Sequence, residues 1–146
     1  MKKLRTFSSV ALFALAIFII QGCNVSTANM SSFKTFSDKE GKTETTSFKA
    51  GETIYARATI SNNPGKVKVK FSMIPDFDLE DLKKGESIKD LEKVVDIDGD
   101  GVATYNFTPT VAFPGGTFKI NADMINDAGE KKDSKTATLT VAGASQ

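Results

Sequence analysis

KVKVKFSM, residues 66 to 73, alternates polar and apolar side chains along its whole length. A period of two describes a strand with one face buried and one face wet. Val67, Val69, Phe71 and Met73 share the inner face, and Lys66, Lys68, Lys70 and Ser72 the outer one. Just before it, TIYARATIS puts Ile54, Ala56, Ala58 and Ile60 on a common face, and NNPG, Asn62 to Gly65, supplies turn residues between the two runs. The pair is expected to form a β-hairpin.

The same alternation returns further along. GVATYNFTP offers Ala103, Tyr105 and Phe107; GTFKINADM offers Phe118, Ile120, Ala122 and Met124; SKTATLTV offers Ala137, Leu139 and Val141. Between the last two lies NDAGEKKD, a charged turn with Gly129 placed for a positive φ. SSFKTFS and TTSFKAGE are weaker candidates for first strands, and VVDI, Val94 to Ile97, is a short one. The exception is PDFDLEDLKKGESIKDLE, where Phe77, Leu79, Leu82, Ile88 and Leu91 permit a helical turn or two among many charges. This excursion, about residues 76 to 92, is expected to be irregular, pinned by its apolar residues, and to cross from one sheet to the other. Seven or eight short strands with no long helix predict an all-β fold, an antiparallel β-sandwich.

The chain opens differently. MKKLR precedes an apolar stretch from Val10 to Ile20, and Gln21, Gly22 and Cys23 follow. Basic residues, a short apolar run and a small residue at the cut are the order of a secretory signal. Ile20 three places before the cysteine and Gly22 just before it resemble a bacterial lipobox. That resemblance implies cleavage before Cys23, a diacylglycerol on its thiol and an acylated amino terminus. Two or three acyl chains hold firmly where one does not, at about 0.8 kcal/mol per buried methylene. Residues 1–22 are therefore expected to be a signal peptide, 23–32 the lipidated cysteine and a tether, 33–142 the sandwich and 143–146 a tail. Asn24 lacks the Asp associated with inner-membrane retention, so in a Gram-negative envelope the expectation is the outer membrane, on its periplasmic or surface face.

The order of the runs and the phrase PGGTFKINA resemble the immunoglobulin-like domains of bacterial envelope proteins, over about residues 33 to 142. Where antibody-type domains carry Tyr-x-Cys, this chain has Phe118 and Ile120, so neither a tyrosine corner nor an inter-sheet disulfide is implied. Phe48, Gly51, Glu52, Ile54, Tyr55, Ala56, Ala58, Ile60 and Asn62 also look like a pattern in small lipid-anchored or secreted bacterial proteins of this type. The resemblance implies no activity.

Composition narrows the chemistry. The chain has no His and no Trp, which removes the commonest general base and the commonest transition-metal ligand. Its 19 basic residues fall to 16 when Lys2, Lys3 and Arg5 leave with the signal, against 18 acidic ones. A slightly acidic mature chain argues against nucleic acid. No GxSxG is present, and PGG and DGDG lack the strand-to-helix setting of a phosphate loop.

Three stretches remain. In DIDGDG, Asp96, Asp98 and Asp100 alternate before Gly101, like the first half of a calcium loop. The twelfth position is Phe107 where a bidentate Glu belongs, so the stretch reads first as a hairpin turn. The alternative is a weak Ca2+ site completed by Asp76, Asp78 or Glu80. Lys66, Lys68 and Lys70 form a basic stripe, either a guarded or solvated sheet face or a site for an anionic or acidic partner. Thr136, Thr138 and Thr140 read as residues that suit a pleat. The expected function is a non-catalytic, lipid-anchored binding module that recognises a protein or glycan of the cell envelope. The alternatives are an envelope protease inhibitor or a weak calcium binder.

Overall fold

The computed structural model describes residues 27–110 and 112–143, and there the alternating runs become strands. They are β1 (Asn29–Phe36), β2 (Ser47–Phe48), β3 (Ile54–Ser61), β4 (Lys66–Pro75), β5 (Lys93–Asp98), β6 (Gly101–Phe107), β7 (Gly116–Asn126) and β8 (Lys131–Val141). Two sheets result, one of three strands in the order β1-β3-β6 and one of five in the order β2-β8-β7-β4-β5. Neighbours run antiparallel except β2, which lies parallel to β8 over two residues. The protein is all-β, as its periodicity predicts.

The inward faces meet in one core. Ile54, Ala56, Ala58 and Ile60 from β3 and Ala103 and Tyr105 from β6 face Val67, Val69, Phe71, Met73, Phe118, Ile120, Ala122 and Met124. Each large apolar side chain withdrawn from water in this way contributes about 1.5–3 kcal/mol. Phe71 joins the sheets by stacking on Tyr105, ring centroids 5.6 Å apart, with Phe33 at 6.1 Å.

Three expectations need correction. β3 and β4 are not a hairpin: β3 is paired on both sides, by β1 and β6, so no edge is left for β4. NNPG instead carries the chain from one sheet to the other, with Asn62 at φ 55°. The excursion does not cross sheets, because β4 and β5 pair within the larger one and residues 76–92 form the long loop of that hairpin. Its only regular element among the described residues is a 3₁₀ turn, Lys89–Leu91. The tether also ends earlier than residue 32. β1 begins at Asn29, and Ala28 and Met30 are already buried; a bulge between Met30 and Ser32 hides the alternation there.

One glycine lets the loop dock, and its neighbour lets two backbone segments approach each other. A Cβ on Gly116, whose φ is +151°, would stand 2.4 Å from the Phe77 ring, and one on Gly115 would stand 2.3 Å from the backbone of Gly143. Phe77 lies edge-on to Phe118 at 5.2 Å, and Phe113 continues the contact at 5.1 Å.

Candidate functional site

The outward side chains of β4 and β5 come together by register. Lys66 faces Asp98, Lys68 faces Asp96 and Lys70 faces Val94 across the antiparallel pair. The basic stripe and two of the three calcium candidates thus share one face, and their charges oppose each other. Lys66 Nζ lies 4.0 Å from Asp98 Oδ2, while Lys70 Nζ reaches Glu92 Oε2 at 2.9 Å. The hydrogen bonds from Lys70 and Ser87 hold the Glu92 carboxyl below the usual carboxylate range.

Asp100 goes elsewhere. DIDGDG is not a hairpin turn, since β5 and β6 belong to different sheets. Its Gly99 takes φ 72° and the turn runs beside NNPG. Asp100 Oδ1 accepts from the Asn63 N–H at 2.8 Å, the Asn63 amide donates to the Gly99 carbonyl at 2.7 Å, and the Gly99 N–H donates to the Gly65 carbonyl at 2.8 Å. Two crossovers are therefore clamped together, and Asp100 is occupied as the clamp. The structure does not converge Asp96, Asp98 and Asp100: no group of three or more metal-ligating acids, His or Cys gathers among the described residues. Asp76 instead pairs with Lys84 at 3.3 Å and Lys119 at 3.8 Å, and Asp78 accepts from the Lys84 N–H at 3.0 Å.

Lys66, Lys68, Asp96 and Asp98 line a depression of about 390 Å³ on the outer face of the larger sheet, and Asp127 from the β7–β8 turn closes one side. Its walls hold two ammonium and three carboxylate groups. Asp127 was not singled out by sequence, because its turn is remote from β5 along the chain and becomes a neighbour through the pairing of β4 with β7. Beyond the depression the face mixes polar side chains with Val94, 54% exposed opposite Lys70, and Ile125, opposite Lys68. Asp123 accepts from Ser134 Oγ at 2.6 Å and pairs with Lys131 at 3.5 Å, Asn121 accepts from Thr136, and Thr138 and Thr140 continue the row. Such a face can offer donors and acceptors in alternation to a polar partner. Cys23 lies outside the described residues.

No protein-family model matches the sequence, and no curated protein matches it. Among solved structures, the C-terminal domain of Wzt is similar over 82% of this chain and 76% of its own, at 12% identity and a TM-score of 0.50. The soluble domain of PmoD from Methylocystis sp. ATCC 49242 (Rockwell) is similar over 81% of this chain and 93% of its own, at 12% identity and a TM-score of 0.45. A Niemann-Pick type C2 protein from the Japanese carpenter ant covers 77% and 90%, at 16% identity and a TM-score of 0.44. At these identities the likeness is one of β-rich fold.

Proposed function

We propose that this chain is a lipid-anchored, extracytoplasmic binding module of a bacterial envelope, immunoglobulin-like in build and non-catalytic, that recognises a protein or glycan through the outer face of its five-stranded sheet. The observation that carries the recognition face is the cross-strand register of Lys66 with Asp98 and Lys68 with Asp96 around one depression. Opposed charges make the face nearly neutral, so it suits a partner rich in hydroxyl or amide groups better than a polyanion. Carboxylates accept from such groups and ammonium groups donate to them. The signal-like start and Cys23 support the anchor, and the strand order supports the immunoglobulin-like build.

The test is a crosslinking pull-down from native envelopes with wild type and with Lys66→Glu, Lys68→Glu and Lys70→Glu combined. A partner captured by wild type and lost in the variant is the expected result; a partner retained by the variant contradicts the assignment of the face. For the anchor, Cys23→Ser is expected to leave the precursor uncut at its native site and without lipid. Equal processing and membrane retention in both forms contradicts it.

One observation favours a second reading, inhibition of an envelope protease. Leu79 stands 48% exposed where reciprocal Leu79 and Leu82 backbone hydrogen bonds of 2.8 and 3.0 Å close a turn with Glu80 and Asp81 at its tip. Loss of activity in an envelope protease panel, relieved by Leu79→Ala, is what that reading requires.

A further inference from the structure

Edge strands present unpaired backbone donors and acceptors, which proteins guard by brevity, charge, bulges or cover. Among the described residues three of the four edges are guarded. β2 has two residues, and β5 carries Lys93, Asp96 and Asp98. β1 is bulged, carries Lys34, and is covered where the Thr45 N–H donates to the Thr35 carbonyl at 3.0 Å. β6 differs. Its sequence, GVATYNF, contains no charge and no proline, and its register with β3 is unbroken over all seven residues.

The direction of its backbone groups follows from β1. In an antiparallel ladder, successive residues turn their N–H and C=O to opposite sides. Thr35 gives its carbonyl to Thr45, away from β3, so the Thr35–Ala56 pair is the open kind and Ala56 turns toward Tyr105. Gly101, Ala103 and Tyr105 therefore serve β3. Val102, Thr104 and Asn106 direct their backbone groups to the open side, and Val102 is 42% exposed.

We propose that β6 is the docking edge for a second copy of this chain, paired antiparallel to β6 of that copy about a two-fold axis at Thr104. Thr104 then faces Thr104 of the second copy, and Val102 faces Asn106 in both directions. Three residues from each side supply about six backbone hydrogen bonds, and an isologous contact closes as a dimer. The occupant is chosen by charge. An uncharged edge accepts an uncharged strand without stranding an ion, and of the four edge strands β6 is the uncharged one longer than two residues; β1 and β5 bring lysine or aspartate. The axis is normal to the sheet. If the chain is anchored as proposed above, both amino termini reach one bilayer with that sheet parallel to it; the pairing itself does not need the anchor.

The experiment is oxidative crosslinking of the full chain in native envelopes, read on non-reducing gels. Opposed Cα atoms in a hydrogen-bonded antiparallel pair lie about 5.5 Å apart, within disulfide range. Thr104→Cys is expected to give a band of twice the chain mass that wild type, with its lone Cys23, and Thr59→Cys on the central strand do not give. Val102→Cys co-expressed with Asn106→Cys is expected to crosslink, and Val102→Cys by itself is not. Thr104→Lys, which guards the edge, is expected to abolish the concentration-dependent dimer that the proposal predicts for wild type in sedimentation. A Thr104→Cys band no stronger than that of Thr59→Cys, an adduct with a different protein in place of the dimer, or a wild type that sediments as a monomer at every concentration overturns the proposal.

Discussion

The β5–β6 turn and the β4–β5 loop both gather carboxylates, yet the fold assigns them different work. In the turn, Asp100 satisfies the Asn63 N–H and ties two sheet crossovers together, while Asp96 and Asp98 lie outward against lysines. In the loop, Asp76 pairs with Lys84 and Lys119, and Phe77 enters the space above Gly116, leaving Leu79 exposed. A motif rich in Asp and Gly thus gives one aspartate to the architecture and two to the outer face, whereas a charged, irregular stretch is braced. The role of a carboxylate is decided by the donors that the backbone brings to it, not by its spacing in sequence.

The strongest way to break this comparison is at Gly116. Gly116→Ala forces a Cβ into the Phe77 ring at a backbone angle that L residues avoid. A loss of about 3 kcal/mol is expected in urea unfolding. A loss near zero means that the loop is not seated as described.

Next comes the clamp. Asp100→Ala leaves the N–H of the buried Asn63 without its acceptor and is expected to cost about 2 kcal/mol, against a smaller loss for Asp78→Ala, whose hydrogen bond from the Lys84 N–H is exposed. Equal losses at the two sites, or a calcium-dependent rise in wild-type melting temperature that Asp100→Asn removes, break the contrast drawn here.

A third test uses pH. Burial pushes the Tyr105 phenol up to about 12, and no partner for its hydroxyl is present among the described residues. The unfolded chain deprotonates near 10, so this group's contribution is complete below that pH and is lost between about 10 and 12. Tyr105→Phe is expected to flatten that part of the alkaline stability profile while leaving the neutral melting temperature equal or higher. An unchanged alkaline limb contradicts the burial of this hydroxyl.

The smallest effect is at the rim of the loop. Glu92 is held below the usual carboxylate range by Lys70 and Ser87, so its contribution is present above that range and fades as pH falls through its lowered pKa. Glu92→Gln is expected to cost little at neutral pH and nothing in acid, since exposed pairs are weak. A loss that persists in acid points to packing and not to charge.

Much of the fold is legible in the sequence. β4, β6, β7 and β8 announce themselves because one face of each is buried, and alternation records burial. Partnering is less legible. NNPG and DGDG suit a hairpin as well as a crossover, and the choice depends on whether β3 has an open edge, which is settled by distant β1 and β6. β1 was partly hidden because its bulge breaks the period. For the candidate face, Lys66, Lys68, Asp96 and Asp98 were each visible in sequence as separate features. Their opposition was not, because cross-strand register is set by the loop between β4 and β5, whose length and path the local pattern does not encode.

The most direct measurement exchanges the charges across that register. In the double variant Lys68→Asp with Asp96→Lys, the opposed pair survives, so the melting temperature is predicted to match wild type. Donor and acceptor positions in the depression are swapped, so the partner captured from envelopes by wild type is predicted to be lost. A folded double variant that retains the partner contradicts recognition through this face.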